Sequence, residues 1–128
     1  MSPEKTEKLF NRYPMLYRGK DEGIQKNLMV FGFECGDGWF DLIDELSRQI
    51  CELSPMTKAF QVKEKYGTLR FYVGVADPST SSVVFDIIDD FEECSEKICE
   101  ECGAPGKSRG IIAGSNGWIK TLCDECAK

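Results

Sequence analysis

Histidine is missing from all 128 residues. That removes the commonest general base near neutral pH, any mixed cysteine–histidine metal site, and any histidine-activated cysteine nucleophile. Long apolar runs are missing too. No stretch approaches the roughly 20 residues that span a bilayer, so no transmembrane helix is expected. The opening MSPEKTEKLFNRYP lacks the apolar segment and small-residue cleavage site of a secretory signal, which makes the cytoplasm the expected location. No G-x-x-x-x-G-K-[ST], G-x-G-x-x-G or nucleophile-elbow pattern occurs. Neither an internal repeat nor a low-complexity linker is present. Basic residues are scarce relative to acidic ones, 16 against 22, for a net charge of −6. Duplex-binding proteins draw most of their affinity from a basic face, so duplex nucleic acid is a disfavoured partner.

Cysteine, in contrast, is plentiful at seven residues. In a cytosolic chain that count points to metal or thiol chemistry rather than a disulfide framework. Cys99-x-x-Cys102 and Cys123-x-x-Cys126 are separated by twenty residues, the spacing of a four-cysteine zinc site. Each C-x-x-C turn presents two thiolates to one ion, and two turns complete a tetrahedron. Gly103 lets the chain reverse after the first pair. Arg109–Ala113 and Trp118–Leu122 are expected as short strands joined at Gly114-Ser115-Asn116-Gly117. The segment therefore reads as a zinc ribbon holding one structural Zn²⁺. Four thiolates leave no open position for a catalytic water, so no metal-based catalysis is expected there. Cys35, Cys51 and Cys94 are left over and read as buried, inert thiols.

The remaining pattern predicts an α+β domain. A short helix is expected over residues 2–12, capped by Ser2 with Pro3 in its first turn. Residues 14–36 read as irregular, with a short strand at Leu28–Phe33. Asp37–Leu53 is the clearest helix, with Asp37 or Gly38 as cap and Trp39, Leu42, Ile43, Leu46, Ile50 and Leu53 on one side; Pro55 ends it. Phe60, Val62, Glu64 and Tyr66 alternate with Gln61, Lys63 and Lys65. Leu69, Phe71, Val73 and Val75 then alternate with Thr68, Arg70 and Tyr72, which predicts a hairpin turning at Tyr66-Gly67. A second long helix is expected from Ser81 to Ile98, with Val84, Ile87, Ile88, Phe91, Cys94 or Ser95, and Ile98 inward. Its outer face carries Asp86, Asp89, Asp90, Glu92, Glu93 and Glu96, read as a solvated face or a docking surface for a basic partner. The predicted organisation is a body over residues 1–98, two main helices on a small antiparallel sheet, with a ribbon over residues 99–128 packed against it.

Candidate binding residues lie on the hairpin. Lys63, Lys65 and Arg70 beside Tyr72 could hold a phosphate or a base, or form the polar face of a half-exposed sheet. Trp39 and Trp118, each following a glycine, are candidate stacking platforms or core anchors. Glu34, Asp37 and Asp41 are close enough in sequence to suggest a carboxylate pair or a second metal site, or simply a solvated helix start.

Three blocks carry a resemblance: FGFECGDGWFDLIDEL, FQVKEKYGTLRFYV, and CEECGAPG followed by GWIKTLCDECA. They cover about half the chain and resemble a group of small zinc-ribbon proteins encoded in phages, prophages and bacterial genomes. Many members place a histidine where this chain has Cys126, a change that keeps a zinc ligand. The resemblance implies a phage or mobile-element origin, a host-cell cytoplasmic location and a zinc ribbon, and it implies no particular activity. Together the readings favour a non-enzymatic binding module that engages a host protein or sequesters a small signalling nucleotide. Two alternatives stand beside it: nucleic-acid or transcription-machinery binding through the ribbon, and a metal-dependent hydrolase using Glu34, Asp37 and Asp41.

Overall fold

Ser2 and Pro3 start the first helix as predicted. In the computed structural model, which describes residues 1–110 and 119–128, helix α1 runs Pro3–Arg12, and Ser2 Oγ accepts the Lys5 N–H at 3.3 Å. Arg12 pairs with Asp44 at 3.1 Å, and the Tyr13 hydroxyl donates to the same carboxylate at 2.8 Å. These contacts bind α1 to the next helix. The glycine-bearing stretch then forms two 3-10 turns, Arg18–Asp21 and Met29–Phe31. The strand expected at Leu28–Phe33 is displaced. Gly32 ends the second turn, and strand β1 is only Phe33–Glu34.

A 3-10 turn at Asp37–Trp39 leads into helix α2, Phe40–Leu53. The expected capping by Asp37 or Gly38 does not occur, because Asp37 Oδ1 accepts the Ser2 N–H at 2.7 Å instead. Ile43, Leu46 and Ile50 repeat at helical spacing and are fully buried, whereas Leu53 lies beyond the core.

Strands β2 (Lys58–Lys65) and β3 (Thr68–Gly74) make the predicted hairpin. Tyr66 and Gly67 both have positive φ, 55° and 82°, the signature of a type I′ turn. Tyr66 is not a favoured residue there, so outside contacts matter: Glu64 Oε2 accepts the Gly67 N–H at 2.8 Å, and Thr121 Oγ1 donates to Gly67 O at 2.6 Å. The register sets Val62 opposite Phe71 and Lys63 opposite Arg70, with a bulge between Ala59 and Gln61. β1 adds in parallel to β2, making the order β1-β2-β3 and the sheet mixed.

Helix α3 spans Pro78–Ser95 and so begins three residues before the expected Ser81. Asp77 Oδ1 accepts the Ser79 N–H at 3.0 Å, and Pro78 fits a first turn where no intrahelical donor is needed. Val84 and Ile88 enter the core, while Ile98 lies past the helix end. Glu92 does not join the outer acidic face: its Oε2 accepts the Phe71 N–H at 2.9 Å, and burial raises its pKa. Ser95 Oγ likewise accepts the Leu69 N–H at 2.9 Å.

The architecture is α+β, with the core between the helices and one face of the sheet. Phe10, Tyr17, Phe33 and Phe71 meet there in tilted and edge-on ring contacts of 5.0–6.5 Å. Among the described residues, no helix is long and apolar enough to cross a membrane. Near the C-terminus, β4 (Lys107–Ser108) pairs antiparallel with β5 (Thr121–Leu122). The expected Gly114–Gly117 turn, Trp118 and parts of the two strands predicted around them lie outside the described residues.

Candidate functional site

The chain after α3 folds back on itself at once. Cys99 N–H donates to Ala104 O at 2.7 Å, Gly103 N–H to Cys99 O at 2.9 Å, and Gly106 N–H to Lys97 O at 2.9 Å. Gly103 has φ 84°, the left-handed conformation the tight reversal requires. The pairing of β4 with β5 then brings Cys123 and Cys126 to the first cysteine pair. The four Sγ atoms all lie within 4.8 Å of one another, and Cys102 Sγ to Cys123 Sγ is 3.6 Å.

Those distances suit a metal. A tetrahedron with metal–sulfur bonds of about 2.3 Å has edges of about 3.8 Å, whereas a disulfide is about 2.05 Å. Backbone donors are placed as in a metal knuckle, with Cys126 N–H on Cys123 Sγ at 3.4 Å. Burial opposes ionisation of Cys99, yet the backbone N–H groups of Cys123, Cys102 and Glu101 outweigh it and hold this thiol down to about 6. The Ala104 N–H favours ionisation of Cys102, but the Cys123 and Cys99 thiols reverse this and push it up. Cys126 is also pushed up, first by Cys123, then by Cys99 and Cys102. One thiolate therefore forms readily and suppresses its neighbours, and a dication would replace the remaining protons. Among the described residues this is the only group of three or more cysteine, aspartate or glutamate side chains arranged to hold a metal.

The centre is tied to the body on two sides. Glu100, beside the first ligand, is buried; its backbone O accepts the Gly38 N–H at 2.7 Å and its Oε2 the Gly36 N–H at 2.9 Å. Gly38 is needed for this approach, since a Cβ there would stand 2.1 Å from Cys99 O. On the other side, Lys120 Nζ lies 3.1 Å from Glu64 and 3.4 Å from Glu100, joining the hairpin to the metal knuckle. Burial raises the Glu100 pKa, while Lys120 lowers it.

The other candidates separate. Trp39 is a core anchor and not a stacking platform: its ring is fully buried and its Nε1–H donates to Ile98 O at 2.9 Å. Trp118 lies outside the described residues. Glu34, Asp37 and Asp41 do not converge. Glu34 Oε1 accepts from Gln61 at 3.3 Å, Asp37 binds the Ser2 N–H, and Asp41 is exposed on the first turn of α2. Of the spare thiols, Cys35 is buried, with burial pushing its pKa up to about 12, and Cys51 is half-buried. Cys94 is exposed, contrary to expectation, because its position on α3 turns away from the buried Ser95. The ribbon cation Arg109 is engaged by Asp124 at 2.8 Å and by Leu122 O at 3.0 Å.

Lys63, Lys65, Arg70 and Tyr72 do share a face. Lys63 is directly opposite Arg70, Lys65 opposite Thr68, and Gln61 opposite Tyr72, all on the side away from the buried Val62, Leu69 and Phe71. Sequence reasoning missed Phe60, which the bulge exposes beside this group, and missed the clasp formed by Glu64, Glu100 and Lys120. Two glutamates and one lysine scattered over the chain carry no spacing signal. Comparison with known protein families, with curated proteins and with solved structures finds no match.

Proposed function

We propose that this chain is a non-enzymatic binding module, closed by one structural Zn²⁺, that captures a phosphate-bearing ligand on the solvent face of its β1–β3 sheet. Zinc is the metal favoured by four thiolates at tetrahedral spacing, and such a site lends folding energy rather than catalysis. The observation that carries the binding reading is charge segregation. Lys63, Lys65 and Arg70 gather beside Tyr72 on the sheet, while Asp86, Asp89, Asp90 and Glu93 are exposed on α3 and Glu96 just past its end. An acidic chain thus keeps a cationic, aromatic face, suited to an anion with a stacking group.

The three blocks resembling phage and prophage zinc-ribbon proteins support a mobile-element origin. In that setting a small protein in the host cytoplasm acts by blocking or sequestering. A second reading, a basic host protein docked on α3, is favoured by Val83 and Phe85, 45% and 43% exposed alongside the acids.

Native mass spectrometry of gently purified protein tests the assignment. One zinc per chain with a retained phosphorylated ligand, lost on Arg70→Ala, is the expected result. Zinc-free folded protein would overturn the metal assignment. A retained basic polypeptide, lost on Asp89→Lys, would replace the phosphate ligand with the host-protein reading.

A further inference from the structure

We infer that the solvent face of the sheet is a platform for a short single-stranded nucleic-acid segment. This rests on the reading above that the face takes phosphate-bearing ligands, and it specifies an extended strand rather than a free mononucleotide.

The face has two parts. At one end are two aromatic rings. Tyr72 is 44% exposed, and Phe60, turned out at the bulge, is 39% exposed. Gly74, two residues beyond Tyr72 on the same face, has no side chain, and Phe60 occupies the space one would take. A Cβ at Gly74 would meet the Phe60 ring at 2.6 Å. Glycine within a strand often marks such a close approach. Here it lets the ring lie across β3, extending the aromatic surface from Tyr72. Toward the hairpin turn come the cations: Lys63 opposite Arg70, then Lys65, whose ammonium lies over the Tyr66 ring at 5.5 Å.

Successive outward positions on a strand are about 7 Å apart, so the rings and cations lie in a row that an extended strand can follow. Lys63 and Arg70 make no ion pair among the described residues, and Arg70 Nε is buried with no hydrogen-bond acceptor there. Glu92 lies near enough to Arg70 for their charges to interact. Glu34, paired in register with Lys63, is a carboxylate on this face, and its Oε1 is engaged by Gln61.

Shape decides between ligand forms. A free mononucleotide is held in a concave site that buries most of its surface. An open three-stranded sheet covers one side only. It suits a strand that spreads stacking over two rings and phosphate contacts over three cations. A duplex hides its base faces from the rings, and the net charge of −6 repels its denser charge.

The test is fluorescence anisotropy of the zinc-loaded protein with a labelled ten-nucleotide oligouridylate at 50 mM salt. Binding should weaken with a log–log salt slope of about −2, as three phosphate contacts on a single strand imply. Tyr72→Ala should weaken binding by about fivefold to a hundredfold, as loss of one stacked base does. Lys63→Gln with Arg70→Gln should flatten the slope to about −0.7. Amide chemical-shift mapping on the unmutated protein provides a check independent of variant folding, with shifts expected within residues 58–74.

Absence of binding at 50 mM salt, or shifts confined to residues 107–109 and 121–128, would overturn the inference. Uridine monophosphate displacing the oligomer at equal concentration would overturn the strand form and leave the phosphate-ligand reading standing. Neither result bears on zinc content.

Discussion

Replacing Gly38 with alanine should loosen the metal centre without touching a ligand. The new Cβ would lie 2.1 Å from Cys99 O, 2.6 Å from Gly103 N and 2.7 Å from the Glu100 carbonyl carbon. All three are backbone atoms, so no rotamer change relieves the clash. Ordinary contact begins at 3.4 Å, and reaching it requires a shift of more than about 1 Å between the α2 start and the knuckle. That shift breaks the bond from Gly38 N–H to Glu100 O, now 2.7 Å. The lost bond costs about 1 kcal/mol and the overpacking about 1–3 kcal/mol, partly offset by about 0.5 kcal/mol of reduced freedom in the unfolded chain. A net loss of about 1.5–3.5 kcal/mol follows, or a fall in Tm of roughly 10 °C. Displacing the knuckle should also weaken metal binding by about tenfold to a hundredfold. Denaturant unfolding reads the first effect and competition with a chromophoric chelator the second. Gly23→Ala is the control: Gly23 has positive φ but nothing within 4 Å, so it should cost only about 1 kcal/mol and leave metal affinity unchanged. If the two variants unfold at the same midpoint and bind metal equally, the close approach does not hold the knuckle.

Lys120→Met should destabilise the metal-loaded protein by about 2 kcal/mol in urea unfolding. Glu64 and Glu100 are left buried without their cation, although Lys120 is itself 32% exposed, which reduces the loss below that of a dry ion pair. An unchanged midpoint would mean the clasp is ornamental. Alkylation at pH 8 followed by peptide mapping should label Cys94 long before Cys35, whose burial pushes its thiol up to about 12. Faster labelling of Cys35 would contradict its burial. Ser95→Ala leaves the Leu69 N–H buried without its acceptor and should cost about 1–3 kcal/mol, whereas Ser95→Thr, if its methyl fits, should recover part of that.

Local chemistry made much of this legible in the sequence. The Ser2-Pro3 start of α1, the apolar repeat through Ile43, Leu46 and Ile50, the alternation along β2 and β3, and the two C-x-x-C pairs each act within a few residues. Errors arose where a distant partner overrode local preference. Asp37 gave up capping α2 to bind Ser2 N–H, and Glu92 left the acidic face to reach β3. The strand expected at Leu28–Phe33 shrank to Phe33–Glu34, whose extent is set by pairing with Val62 and Lys63. A short parallel strand has no local signature, because its partner lies almost thirty residues away.

The hydrogen bonds from Leu69 to Ser95 and from Phe71 to Glu92 also bear on how molecules meet one another. Those N–H groups lie along the outer margin of β3, where a strand from another chain would otherwise pair. At the other margin, the Met1 nitrogen donates to Phe33 O at 3.1 Å and also to Cys35 O. Both rims of the sheet are thus occupied by groups that cannot propagate a ladder. The sheet thus presents a partly apolar face while these margin groups are withheld from edge-to-edge strand pairing.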